Sequence, residues 1–352
     1  MTPLNFALMA VYVTGIILLE KKQTATRIAR WLPSREHDAL NRLLRCCQWS
    51  TSQLLACIMQ WASKLGVGYI CIDDVVVSKP YSKRNRWVGW TYSTSEKRKI
   101  RGFHIVVLLW CCSSLRIPVA FRVWRPKANC RSQRYRKKTI LAEMMLREVA
   151  AAKLPVSYVV GDTLYSGNRL CKLVKRLGWQ WVGVLHPNTT LIYRSKRFSA
   201  TDLCNYLRPK WRAHLGLRAV SVTAYSPKYG HLRLVVTTNR HGNSEVLATS
   251  NLDSDLSTIV RRKVSRWSIE TLFRDTKQEA ALAACQCRVD QALVRHIALV
   301  FISFILLQLF GLRHQETVGE TKERLRLRVM THGAPTPEPL QGHVSALQLL
   351  TA

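Results

Sequence analysis

Apolar positions recur at helical spacing over roughly the first 65 residues and then give way to β-rich runs. Ile28, Trp31 and Leu32, then Leu40, Leu43 and Leu44, keep the three-and-four spacing of helix faces, with Pro33-Ser34 as break and cap between them. The apolar run Leu4–Leu19 is interrupted by Asn5, Thr14 and Gly15. At 16 residues it is shorter than a usual spanning helix, and Lys21 and Lys22 follow it rather than precede it as in a signal peptide, so it reads as a buried helix. From Gly68 strands are predicted: Tyr69–Ile72 running into Asp73-Asp74, His104–Trp110, Ile117–Trp124, Val156–Val160 ending at Gly161-Asp162, and Trp179–Leu185. Thr139–Ala152 and Arg169–Leu177 read as helices, the second closed by Gly178. Thr190–Tyr193, Ala219–Tyr225, Leu232–Thr238 and Val246–Ser250 read as further strands, with Pro227-Lys228-Tyr229-Gly230 as a hairpin turn. Helix resumes from Leu256 through Glu279 and again from Gln291 to Phe310, the latter a core helix too short to span a bilayer.

This rhythm predicts an α/β protein with helical crossovers. Four units are expected: an N-terminal helical subdomain over 1–65, a core over 66–187 plus 256–312, a β-rich insertion over 188–255, and a tail over 313–352 that ends Pro-rich at Pro335, Pro337 and Pro339. The first helices, with Arg27, Arg30, Arg35, Arg42 and Arg45 outward, read either as a DNA-binding helix pair or as an ordinary helical subdomain.

Charge narrows the partner. The 352 residues hold 54 Lys plus Arg against 21 acids, a formal +33, while 47% are hydrophobic, enough for a sizeable core. The usual partner of such an excess is a polyanion, by counterion release from phosphates. A ribosomal-type protein and an anionic membrane surface are the alternatives, and since no segment spans, a membrane protein is the weakest of them. The eleven cysteines include the adjacent pairs Cys46-Cys47 and Cys111-Cys112 and a lone C-x-C at Cys285 and Cys287. No C-x-x-C pair repeats, so zinc is not expected; reduced, buried thiols in a cytoplasmic protein fit best.

One helix carries unusual chemistry. On a continuous helix at 100° per residue, Lys263, Arg266, Glu270, Arg274 and Lys277 fall within a wedge of roughly 80°. A solvated face with i,i+4 salt bridges is the ordinary reading. One carboxylate cannot neutralise four cations, however, and the wedge suits a phosphate and a metal ion together. Asp73 and Asp162 each end a hydrophobic strand and enter a turn, where ligands bind in α/β sheets, although turns also favour Asp. Two such Asp residues plus Glu270 form an oxygen set suited to Mg²⁺ or Mn²⁺. Asp73 and Asp74 point to opposite faces of one strand; Asp73 is taken as the ligand, with Asp74 the alternative.

The spacing Arg266-x3-Glu270-x6-Lys277 matches the R-E-K part of the Y-x2-R-x3-E-x6-K signature of bacterial insertion-sequence transposases of the DDE type. "RWSIETLFRDTKQ" resembles that family's active-site helix, "YICIDDVVVSKPYSK" its first-carboxylate segment and "YVVGDTLYSGNRL" its second. The similarity runs from about Ala25 to Leu312. The signature Tyr is replaced by Lys263, and Val75 and Val76 stand where a small hydroxyl residue often follows the first Asp. The resemblance implies a ribonuclease-H-like core, a β-rich insertion before the third carboxylate and two divalent ions, Mg²⁺ or Mn²⁺. Asp73, Asp162 and Glu270 would be their ligands and the catalytic residues, with Arg266 and Lys277, then Lys263 and Arg274, holding DNA phosphates. It also implies double-stranded DNA, as transposon ends and target, for a partner. Transposition needs two ends held together, which suggests a homodimer on DNA. The competing expectations are a ribonuclease-H-like nuclease without strand transfer and an inactive, transposase-derived DNA-binding protein.

Two basic stretches extend the expected DNA surface. Lys79–Arg101 holds eight cations and one acid, Glu96, interleaved with Trp87, Trp90 and Tyr92; Arg122–Lys138 holds eight cations and no acid. Each reads as backbone contact or as a solvated loop with core tryptophans, and the aromatics as candidates to stack on an unpaired base.

Overall fold

A computed structural model describes residues 2–20, 23–32, 37–82, 85–93, 96–130, 134–284 and 286–332. Pro33-Ser34, Arg35, Cys285 and the Pro-rich end of the tail lie outside the described residues.

Four helices open the chain: α1 (Pro3–Leu18), α2 (Ala25–Trp31), α3 (His37–Arg45) and α4 (Thr51–Ala62). Thr2, Thr24 and Ser50 cap α1, α2 and α4 by accepting backbone N–H groups of the first turn. Then come β1 (Gly68–Ser78), β2 (Gly89–Ser93), β3 (Arg98–Cys112), β4 (Leu115–Trp124), α5 (Lys138–Ala151), β5 (Val156–Gly161), α6 (Asn168–Arg176) and β6 (Gln180–Val184). The next stretch gives β7 (Thr190–Tyr193), β8 (Lys196–Ser199), α7 (Ala200–Leu207), β9 (Lys210–Arg212), β10 (Leu217–Ser226), β11 (Gly230–Thr238) and β12 (Ser244–Thr249). Four helices follow: α8 (Leu256–Ser265), α9 (Trp267–Gln278), α10 (Asp290–Leu312) and α11 (Val318–His332).

The strands form one mixed sheet in the order β2-β3-β1-β5-β6-β12-β11-β10-β7-β8, with β4 also on β3 and β9 on β10. Among the described residues only β1–β5 and β5–β6 are parallel. The run β4-β3-β1-β5-β6, antiparallel on one side of β1 and parallel on the other, is compatible with a ribonuclease-H-like DDE fold. The strands of 188–255 join this sheet through β12 on β6, and α8 packs over β6, β10, β11 and β12 through Val182, Ala219, Val235, Leu247, Ile259 and Val260. The expected turn at 227–230 is there, with Gly230 at φ +82°, a backbone that favours glycine.

The first helices share the main hydrophobic core with α10 and the sheet. Arg295, on α10 and 3% exposed, donates to the carbonyls of Leu43, Leu44, Cys47 and Trp49 and stacks over the Trp49 ring. Tyr12 Oη meets His296 Nδ1 at 2.9 Å. The region before residue 65 is therefore bolted to the last long helix. That helix begins at Asp290, so it is longer than its apolar run suggested: by length and composition it could cross a membrane, yet 83% of its apolar window is buried inside the fold. The described cysteines are free, but only Cys71, Cys111, Cys112 and Cys204 among them are buried, fewer than expected.

Candidate active site

Asp73 and Asp162 are brought abreast by strand register. In the parallel β1–β5 pair Ile72 is the partner of Gly161, so the next residue is a carboxylate on both sides, Asp73 within β1 and Asp162 just past the end of β5. Asp73 was expected to end its strand. Instead β1 runs on to Ser78, because Val75, Val76 and Val77 keep pairing with β3; what stops at Asp73 is the pairing with β5. Asp73 accepts the Asp74 N–H at 2.8 Å and Asp162 the Tyr165 N–H at 3.2 Å. Gly161 lets the turn fold back closely: a Cβ there would lie 2.9 Å from that of Tyr165.

The third carboxylate arrives on α9, but not on the long helix expected from Leu256 to Glu279. The helix breaks at Arg266 into α8 and α9. Ser265 Oγ turns back to the Arg262 carbonyl and also contacts Tyr158 Oη at 3.0 Å, while Tyr69 Oη meets Ser268 Oγ at 3.2 Å. The Tyr69 and Tyr158 rings stack at 4.8 Å, pinning the junction to the strands that carry Asp73 and Asp162. Arg266 at this junction donates from Nη1 to Asp73 Oδ2 at 2.8 Å and from Nη2 to Glu270 Oε1.

The break separates Lys263, on α8, from the wedge, while Arg274 and Lys277 stay on α9 with Glu270. Lys263 Nζ pairs with Glu245 at 2.5 Å, and Arg274, more than half exposed, pairs with Asp275 at 3.1 Å. Lys277 is partly buried, which pulls its ammonium below the usual lysine range, and it lines a cleft of about 920 Å³ together with Arg27, Arg30 and Trp31 of α2. Of the aromatic residues on α9, Phe273 is buried and Trp267 exposed.

Electrostatics single out Asp73. Burial, reinforced by the Asp162 charge, pushes its carboxyl up to about 7. Asp162 is also raised by burial. Asp74, on the opposite face, meets different company. Its Oδ2 lies 2.6 Å from Lys138 Nζ and 3.0 Å from His104 Nδ1, and its Oδ1 accepts the Tyr165 hydroxyl at 2.9 Å. Burial works to raise Asp74, but the hydrogen bond with His104 and the Lys138 ammonium outweigh it and hold the group below the usual carboxylate range. Burial and the nearby carboxylates push the Tyr165 hydroxyl up, so it stays a donor. Tyr165 thus ties the two carboxylate segments together, its N–H on Asp162 and its O–H on Asp74. This residue was missed in the sequence; its only signal is its place three residues after Asp162. His104 carried no signal, and Lys138 stood out only as the end of a basic stretch expected to face DNA.

Several cations of the basic stretches serve the fold. Arg86 and Arg125 reach Asp290, Arg98 reaches Glu96, and Arg122 reaches Glu148. Arg131 and Lys83-Arg84 lie outside the described residues.

Among the described residues, no three His, Cys, Asp or Glu side chains converge closely enough to hold a metal ion as they stand. The donor chemistry nonetheless fits a hard divalent cation: two partly buried carboxylates abreast, a third one helical turn past Arg266, and a guanidinium already drawn to Asp73 and Glu270. A comparison with curated proteins finds no match. The family description DDE superfamily endonuclease matches residues 5–203, more than half of the chain, including Asp73 and Asp162 and ending before Glu270. Carboxylates abreast at the parallel strands, on a chain of this charge, accord with that match, and the chain belongs to the DDE superfamily of endonucleases.

Proposed function

We propose that the protein is a DNA transposase, cutting the ends of a mobile element and joining the freed 3′-hydroxyls to target DNA at Asp73, Asp162 and Glu270. The observation that carries the reading is the Arg266 junction, which gathers Glu270 toward Asp73 on the face where Asp162 lies abreast. Two Mg²⁺ or Mn²⁺ ions held by these carboxylates would activate water or a 3′-hydroxyl and stabilise the leaving oxygen. The carboxylates serve as ligands and not as general bases. Arg266 keeps Asp73 and Glu270 in place and offers its guanidinium to the scissile phosphate. Lys277, two helical turns beyond Glu270 and about 10 Å along α9, takes a neighbouring phosphate. Lys263 and Arg274, tied to Glu245 and Asp275, are secondary phosphate contacts.

In this reading residues 66–187 and 256–312 form the ribonuclease-H-like core, 188–255 a β-rich insertion that lengthens its sheet, and 1–65 a DNA-binding helical part whose α2 faces Lys277 across the cleft. Residues 313–352 form a tail. The enzyme works as a homodimer on double-stranded DNA, in the cytoplasm. The test is to incubate the protein, Mg²⁺ and DNA carrying the sequences that flank its gene with a supercoiled target. Cut ends joined to the target support a transposase. Cut ends without joining indicate a nuclease of the same fold, and DNA bound but never cut indicates a binding protein.

A further inference from the structure

We infer that β2 and the start of β3 form a platform for an unpaired DNA strand. Gly102 pairs with both Ser78 of β1 and Gly89 of β2, and beyond it the two strands continue as a ribbon pairing Trp90–Ser93 with Arg98–Arg101. Alternation sorts its side chains. Thr91 faces inward, its Oγ1 2.6 Å from His104 Nε2, opposite the buried Ile100. Trp90 and Tyr92 therefore face outward, 74% and 57% exposed. Their cross-strand partners are Arg101 and Lys99, so each aromatic ring stands beside a cation on the same face. Nε of Arg101 is buried with no hydrogen-bond partner among the described residues.

Large rings left in water beside cations that have no acidic partner among the described residues suit a ligand with flat apolar faces on an anionic backbone. Single-stranded nucleic acid has that chemistry. Spacing favours an unpaired strand over a duplex. Residues two apart on a strand are separated by about 6.8 Å, twice the ~3.4 Å step between stacked bases of one duplex strand. The two rings can take successive bases only when those bases have been splayed apart. The ribbon is also coupled to the carboxylate site: Thr91 holds His104, and His104 holds Asp74, next to Asp73. The inference rests on the transposase reading only in taking DNA as the polyanion.

The test needs no cleavage and is run in EDTA. Fluorescence anisotropy compares a dT oligonucleotide of about 12 residues, an abasic strand of equal length and a duplex. The proteins are wild type, Trp90→Ala with Tyr92→Ala, and Lys99→Ala with Arg101→Ala, each checked by thermal melting. The aromatic double variant should bind the dT strand about 25-fold more weakly, some 5-fold per ring, and keep its affinity for the abasic strand and the duplex. The cationic double variant should lower the salt slope for single strands by about 1.4. Unchanged dT binding in the aromatic variant would overturn the platform, as would a parallel loss on the duplex, which would mark a groove-inserting ribbon. Cutting in Mg²⁺ is scored separately. A wild type that stacks dT but cuts nothing sinks the transposase reading and keeps the platform; one that cuts while the aromatic variant binds normally does the reverse.

Discussion

Arg266 and Asp73 are 193 residues apart in sequence and 2.8 Å apart in space, and the same guanidinium holds Glu270. A planar fork can serve two carboxylates at once; an ammonium cannot do so with the same geometry. Arg266→Lys is expected to fold and still bind DNA while cutting falls by about 100-fold, the scale seen when one charge-stabilising donor is lost. Single-turnover cleavage beside end binding checks this. Wild-type cutting by Arg266→Lys would show that the bridge is only a surface ion pair.

Asp73 also fixes a pH dependence. Its carboxyl is raised to about 7 by burial and by Asp162, whereas in the unfolded chain it titrates near ~4. Between those values the folded protein holds a proton that the unfolded chain has released. The stability owed to this group is thus full at acid pH and falls as pH rises toward 7. Asp162, also raised, works in the same direction. Thermal melts in EDTA should show wild type losing stability relative to Asp73→Asn as pH climbs through this window. A difference that grows in favour of wild type would contradict the assignment.

The two adjacent aspartates should separate cleanly. Asp73→Asn is expected to abolish cutting and keep the fold. Asp74→Asn should chiefly destabilise, because Lys138, His104 and Tyr165 lose their shared acceptor charge. Tyr165→Phe removes one hydrogen bond to that carboxylate and should cost about 2 kcal/mol. Denaturant melts and cleavage rates on all three variants decide this. Loss of cutting in Asp74→Asn with cutting retained in Asp73→Asn would reverse the choice.

Arg295 offers a test of the fold away from the site. It satisfies four backbone carbonyls around α3 and the segment after it. Arg295→Ala removes these bonds and the stacking over Trp49, although the Leu43 and Cys47 carbonyls keep donors from Trp49, and should cost about 2 kcal/mol. Full stability in that variant would mean that the N-terminal helices stand apart from α10.

Much of this was legible because β-branched and aromatic runs mark strands: the expected segments from Tyr69 to Val184, and from Thr190 to Thr249, contain strands as anticipated. Asp73 misled because Asp favours turns; three consecutive valines carry β1 past it. The break at Arg266 carries no Gly or Pro. It is made by Ser265 bonding back to Arg262 and by tyrosines from two strands, contacts that no local pattern announces. That break is why Arg266 stands with the carboxylates while Lys263 does not. The ties of His104 and Lys138 to Asp74 escaped notice because these residues lie 30 and 64 residues from it and meet it only through the sheet and the start of α5.

The most direct measurement is divalent-ion binding and metal-dependent cutting by Glu270→Gln, with Lys277→Ala alongside. If Glu270 were merely the i,i+4 partner of Arg266, its loss would cost ~1 kcal/mol or less and cutting would persist. The account predicts that Glu270→Gln keeps fold and DNA binding but loses tight Mg²⁺ binding and cutting. Lys277→Ala should bind the ion and cut slowly. Wild-type cutting by Glu270→Gln would contradict the placement of the active site on α9.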